Sequence, residues 1–273
     1  MKANNLEFNG SWAIVLGGSS GFGLATVEKL SAHGMNISAL YRETTISEKK
    51  LKAHFEALSK THDVIIDAHN INALDETARK QFIKSLAKKL HEKNKVRLLL
   101  HSIARGNLKP LISNDKHLTK NHDLLSVEDI QLTTYAMSTS LLDWTRALME
   151  AELFENDARI IGLTSEGAHK FWDGYAAVSI AKSSLESLAA FMAVELGSYG
   201  LRTNLIQAGI TETPSLNRIP GSEKLLAIAK KRNPLGRVTL TTDVADVIYL
   251  LCKKEAAWIN GSLIHVDGGE HCR

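Results

Sequence analysis

Short runs of consecutive apolar residues alternate along this chain with longer stretches whose apolar positions recur every three or four residues. Trp12–Leu16, Asn36–Tyr41, Val64–Ile66, Val96–His101, Arg159–Thr164, Arg202–Ile206 and Leu263–Val266 predict strands. Between them, Gly23–His33, Ser47–Lys60, Leu74–His91, Val127–Glu152, Tyr175–Gly197 and Asp243–Lys253 predict helices. Strands that are apolar at nearly every position need cover on both faces, and parallel strands need long crossovers. The expected fold is therefore α/β, a doubly wound parallel sheet with helices on both faces and right-handed connections. Two stretches break the alternation. Residues 104–123 are polar and aperiodic, and residues 210–234 mix turn signals with a short apolar helix at Leu225–Ala229. Both follow strand ends, where ligands sit in such sheets, so both are candidate substrate-side loops.

Composition narrows the picture without changing it. A chain of 273 residues suits one domain spanning 1–273, and four prolines leave no Pro-rich linker to divide it. A net charge of +3 is too small to argue for nucleic acid. Two cysteines, Cys252 and Cys272, form no disulfide framework, which suits a reducing cytoplasm. The first residues lack the apolar core of a signal peptide, and no run of about 18 apolar residues predicts a membrane span. Eleven histidines show no ligand spacing, so no metal is expected. His101 reads as a strand-end residue rather than a base. Ser165 and His169 lack an acidic partner at triad spacing.

The turn LGGSSGFG joins the first strand to the first helix. Gly17, Ser19, Ser20, Gly21, Phe22 and Gly23 are the candidate cradle for a pyrophosphate, which would meet free backbone N–H groups and the positive end of a helix dipole. The spacing is Gly-x3-Gly-x-Gly, and a plain glycine-rich turn would read the same. An acid closing the second strand would accept from the 2′-hydroxyl of NAD. Tyr41 and Arg42 stand there instead, and Arg42 could pair with the 2′-phosphate of NADPH or be a solvated surface arginine. Asn70 and Ile71 follow the third strand, where they could hold adenine or form a turn.

Tyr175 and Lys182 are seven residues apart, close to two helical turns, so both face one side of a helix. The position one turn before the lysine is Val178, which has no proton to donate.

On these residues the chain resembles the short-chain dehydrogenase/reductases over nearly its whole length. The matching segments are LGGSSGFG, the Tyr–Lys helix, QAGITET and INGSLIHVDGG. Within that superfamily it looks most like the enoyl-acyl-carrier-protein reductases, through the wide Tyr175–Lys182 spacing, the HSIA segment at His101–Ala104 and the stretch beginning YAAVSIAKSSLE. The glycine turn and the VDGG ending look nearest the NADPH-dependent third branch. Leu16, Ala208 and Ser165 depart from the usual pattern: a threonine, a proline and a second aromatic stand at those places in relatives.

The resemblance implies a Rossmann-like fold and reduction of the carbon–carbon double bond of enoyl thioesters, in fatty-acid or related acyl-chain biosynthesis. NADPH is expected in preference to NADH. Tyr175 would donate to the thioester oxygen as enolate charge develops, and Lys182 would hold the nicotinamide ribose. Ser165 would support the tyrosine or be a turn residue. Ser102, Ile103 and Ala104 would floor the cofactor site. Gly209 and Ile210 would face the nicotinamide amide, and Thr213 would reach a phosphate or act as an N-cap. Lys230, Lys231 and Arg232 could meet an acidic acyl carrier protein or form a solvated face. A homotetramer or dimer is expected. The competing readings are a 3-ketoacyl or other carbonyl reductase, which Val178 opposes, and a non-catalytic NADP-binding sensor, which the Tyr175–Lys182 pair opposes.

Overall fold

The computed structural model describes residues 7–90, 95–112, 124–219 and 221–273. Seven strands form one parallel sheet: β1 (Trp12–Leu16), β2 (Asn36–Tyr41), β3 (Ile66–Asn70), β4 (Val96–His101), β5 (Phe154–Ser165), β6 (Leu201–Ala208) and β7 (Leu263–Val266). Their order is β3-β2-β1-β4-β5-β6-β7, so the winding reverses between β1 and β4. All registers are parallel, with Leu16 opposite His101 at the end of that central pair.

The continuous apolar strands do what their pattern demands. In β1, Trp12, Ile14 and Leu16 point into one core and Ala13 and Val15 into the other. The helices are α1 (Gly21–Ser31), α2 (Thr45–His62), α3 (Glu76–Lys89), α4 (Val127–Thr134), α5 (Ser140–Glu150), α6 (Ala176–Glu195), α7 (Ser222–Arg232) and α8 (Thr241–Cys252). One core joins the sheet to α3, α5 and α6 through Phe82, Trp144 and Leu185; the other joins it to α1, α2 and α8 through Leu30, Phe55 and Ile248. Two buried arginines interrupt the apolar strands. Arg97 and Arg159 donate to the carbonyls of Cys252 and Leu251, each at 2.7 Å, so both buried cations meet the negative end of α8.

Three expectations need correcting. The third strand is Ile66–Asn70 rather than Val64–Ile66, because α2 ends at Asp63 in a left-handed cap and the chain needs two more residues to reach the sheet edge. There its residues are only half-buried, so the apolar pattern was weak. Val127–Glu152 is not one α-helix: α4 and α5 are separated by a π-helical turn, Tyr135–Thr139. Met137 of that turn lines the cavity, and a single short π-turn leaves no mark in a pattern of apolar positions as loose as that of Val127–Glu152. The short helix at Leu225–Ala229 extends over Ser222–Arg232. No correction attaches to α6, which is long and apolar enough to cross a membrane by length and composition alone. In this fold it is a core helix, with Leu185 and Ala189 packed on the sheet and Val178 and Ala181 clustered with Met137. Its other side is open: Phe191 is 66% and Val194 82% exposed.

Candidate active site

The carboxyl ends of the strands open into one cavity of about 750 Å³ at the point where the winding reverses. Its walls divide into a backbone half and a side-chain half.

The backbone half begins at the glycine turn. Gly17 has φ +94°, and a Cβ there would lie 2.4 Å from the carbonyl of Ser102, so the turn closes against the end of β4. A Cβ on Gly23 would lie 2.1 Å from the carbonyl of Gly17. Gly23 therefore lets α1 start against its own turn; it is not on the cavity wall, whereas Gly17, Ser19, Ser20, Gly21 and Phe22 are. The Ser20 side chain makes no cap hydrogen bond, and the first turn of α1 has no acid. Its first N–H groups face the cavity end free to meet an anion. Ser102, Ile103 and Ala104 line the wall beside them.

Tyr41 and Arg42 also reach the cavity. Tyr41 is buried, and its phenol is pushed up to about 12 by desolvation, with Glu48 and Glu43 adding to the shift. Arg42 is exposed and, among the described residues, pairs with no acid. Ile71 lines the cavity but Asn70 does not. The Asn70 amide accepts from the Glu43 N–H at 3.0 Å and donates to the Glu43 carbonyl at 2.9 Å and to Glu48 at 3.0 Å. Its role is to tie the end of β3 to the loop after β2, the turn alternative of the sequence reading. Thr213 stands on the cavity wall against Gly21, and its hydroxyl also accepts from the Leu216 N–H at 3.2 Å, so the wall position and the capping bond coexist.

Tyr175 and Lys182 come together as their spacing requires. Tyr175 caps the start of α6 and has its ring against Gly167, where a Cβ would fall 2.4 Å from the ring edge. Burial raises its phenol above the usual range, and Ser165 opposes that in part. The group remains a proton-bearing donor at neutral pH. Lys182 is buried, and its ammonium donates to the Leu163 carbonyl at 2.6 Å. Burial brings it down to about 8, against the opposing pull of Glu186 one turn further along. Glu186 in turn accepts from Thr164 at 2.7 Å and meets His169 at 2.8 Å. Ser165 accepts from the Gly167 N–H at 3.2 Å, so it shapes the turn under the Tyr175 ring as well as facing the phenol. His101 is a buried strand-end residue bonded to Ser140 at 2.8 Å; burial and the Lys182 charge hold it near 3 and uncharged.

The side-chain half is built by the predicted loops. Asn107 and Lys109 are tied to Asp129 at 2.8 Å each, which fixes the 104–112 strip on α4; the remainder of the 104–123 loop lies outside the described residues. Leu108, Met137, Val178, Leu216, Leu225 and Ile228 form an apolar wall facing Tyr175. α7 carries Leu225 and Ile228 and lies across the cavity as a lid. Gly209 and Ile210 line the rim between lid and sheet. At the last turn of α7, Lys230 and Lys231 are exposed, but Arg232 turns inward to Glu166 and Glu270. Sequence reasoning missed Glu166, Gly167, Trp172, Met137 and Glu270. Of these, only Glu270 carried a signal: an acid directly after the VDGG turn.

This geometry fits a nicotinamide dinucleotide: a helix whose first turn holds no acid, an arginine beyond the second strand that is unpaired among the described residues, and a buried Tyr–Lys pair share one cavity. The comparisons with known proteins agree. A family model described as Enoyl-(Acyl carrier protein) reductase matches residues 17–271. The enoyl-acyl-carrier-protein reductase (NADH) of Aquifex aeolicus is 36% identical over 132 residues, an alignment spanning 48% of each chain. The 3-oxoacyl-acyl-carrier-protein reductase of Escherichia coli is 25% identical over 266 residues, spanning 97% of this chain and 98% of that one. The crystal structure of the Aquifex aeolicus enzyme superposes with a TM-score of 0.79 at 24% identity over 97% of this chain and 98% of that one, a likeness of fold.

Proposed function

This chain belongs to the short-chain dehydrogenase/reductase family described by that enoyl-reductase model and is a nicotinamide-dependent oxidoreductase; from that premise we propose that it reduces the carbon–carbon double bond of enoyl thioesters with NADPH. The observation that carries the reading is Tyr175 placed two turns before the buried Lys182, with Val178, an apolar cavity-wall residue, at the one-turn position. A carbonyl reductase of the wider family needs its donor at that nearer position.

Ser19–Gly21 and the N-terminus of α1 would hold the pyrophosphate, Arg42 the 2′-phosphate, Lys182 the ribose and the Gly209–Ile210 rim the carboxamide. The bound cofactor supplies hydride. The chain's own contribution is to place and stabilise. The Tyr175 phenol donates toward the thioester oxygen, where negative charge gathers as C3 is reduced. Lys182 adds positive potential below it, strengthened by burial. The Leu108, Met137, Val178, Leu225 and Ile228 wall excludes water and takes the acyl chain. The exposed Lys230 and Lys231 on α7 suit an acidic carrier protein. The open apolar side of α6, with Phe191 and Val194, suits a homo-oligomeric contact. A cytoplasmic setting fits the buried, unpaired Cys252, whose thiol burial pushes up to about 12.

The second reading, a 3-oxoacyl reductase, is favoured by the full-length likeness to the Escherichia coli enzyme. Steady-state rates with NADPH on matched crotonyl and acetoacetyl thioesters separate the two. The proposal expects oxidation of NADPH with the enoyl substrate and little with the keto substrate; the reverse ranking overturns it.

A further inference from the structure

Glu270 is a carboxylate with only 2% of its surface exposed, in the turn Glu270–Cys272 beside the cavity. Nothing in the reduction chemistry uses it. One of its oxygens accepts the Ile210 N–H at 3.3 Å, on the rim that the proposed function gives to the nicotinamide carboxamide. A side chain on Gly209 would come 2.9 Å from the same oxygen, so the carboxylate is packed directly under that rim. The other oxygen accepts from Arg232 at 2.6 Å. Arg232 is the last residue of the lid α7, and its same terminal nitrogen reaches Glu166 at 2.5 Å. Glu166 also pairs with Lys170 at 2.5 Å and follows Ser165 directly.

Two carboxylates and two cations balance in this cluster. A buried carboxylate is tolerated only when paired, and removing its partner leaves an uncompensated charge that the fold strongly disfavours. Among the described residues, Arg232 is the one cation in an ion pair with Glu270. Swinging α7 away would therefore strand Glu270 and loosen its hold on Ile210.

We propose that Glu270 is a positioning residue for the cofactor-facing rim at Gly209–Ile210, and that Arg232 makes its hold conditional on α7 lying closed over the cavity. Cofactor binding and lid closure are then coupled, each favouring the other by the same factor. This inference rests on the proposed function only in assigning the nicotinamide to that rim.

The test is calorimetric titration of NADPH into the full chain, with hydrogen exchange read at Ile210 and across 222–232. The variants are Arg232→Gln, Glu270→Gln, Arg232→Lys and the double Gln variant. The coupling predicts affinity about tenfold weaker in each single Gln variant and faster exchange at Ile210. Arg232→Lys stays within about threefold of the parent. The double variant is no weaker than either single one, because both break one unit. Wild-type affinity, within twofold, in a folded Arg232→Gln protein whose lid exchanges faster overturns the inference, and so does full additivity in the double variant. If Glu270→Gln does not fold, the contrast between Arg232→Gln and Arg232→Lys decides alone. A parent protein that binds neither NADPH nor NADH overturns the functional reading itself and this inference with it.

Discussion

The two halves of the cavity are made of different materials. On the side proposed to hold the cofactor, backbone would do the recognising: Gly17, the first N–H groups of α1 and the carboxyl ends of β1 and β4 are fixed by a sheet buried on both faces. On the substrate side, side chains from a strip, a π-turn and a lid helix make the wall, and those segments hang on a few polar ties such as Asn107–Asp129 and Arg232–Glu270. A backbone site is set by the fold and recurs wherever the fold does. A side-chain site can be rewritten residue by residue, and so carries what distinguishes one reductase from another.

The largest expected effect lies where the halves meet. Tyr175→Phe removes the donor aimed at developing charge and should lower kcat by roughly 100- to 1,000-fold, as loss of one such donor does. NADPH affinity by calorimetry should stay within about twofold. Loss of affinity without loss of turnover would move Tyr175 to the cofactor side of the comparison.

Second in size is the backbone half. Gly17→Ala forces a Cβ into the Ser102 carbonyl at a positive φ, a conformation costing an alanine roughly 1–2 kcal/mol before the clash is counted. Cofactor affinity should fall by about tenfold or more, read by fluorescence titration. Retained affinity would mean that the turn is not the cradle.

The third prediction concerns pH. Lys182 is held near 8 by burial, whereas its ordinary value is 10.5. The ammonium is charged below about pH 8 and neutral above it, so kcat/KM should fall as pH rises through 8. Stability runs the other way. Between about pH 8 and 10.5 the unfolded chain binds more protons than the folded one, so this group's contribution to the stability of the ligand-free protein rises with pH across that window. In Lys182→Met the alkaline fall in rate should vanish along with most activity; a rate profile unchanged in shape would remove Lys182 from the chemistry.

Most of the cavity half proposed for the cofactor was legible in the sequence, because apolar runs and glycine spacing report backbone directly. Gly17, Ser20, Ser102 and the Tyr175–Lys182 pair all stand on the cavity wall. Gly23 and Asn70 do not, for a reason spacing cannot show: one glycine serves packing within the turn, and one amide is taken up by Glu43 and Glu48. The substrate half was far less legible. The π-turn at Tyr135–Thr139, which places Met137 on the cavity wall, leaves no local mark in the sequence, and Arg232 reads as part of a basic run although its partners lie 66 and 38 residues away. Tertiary ion pairs leave no local pattern.

The smallest expected effect sits at the outer end of the cofactor half, the one place there where a side chain recognises. Arg42→Ala should reduce the preference for NADPH over NADH by about tenfold, in line with an exposed charge-assisted contact of roughly 1–2 kcal/mol. No change in the kcat/KM ratio for the two cofactors would leave the 2′-phosphate without its partner.

The most direct test of the account follows the hydride. Deuterium-labelled NADPH is incubated with the purified protein and a crotonyl thioester, and the product is read by mass spectrometry and NMR. The account predicts a butyryl thioester with deuterium at C3 from the parent protein and almost none from Tyr175→Phe. Unreacted crotonyl thioester, alongside deuterium on the carbinol carbon of a 3-hydroxyacyl product from the acetoacetyl control, would contradict it.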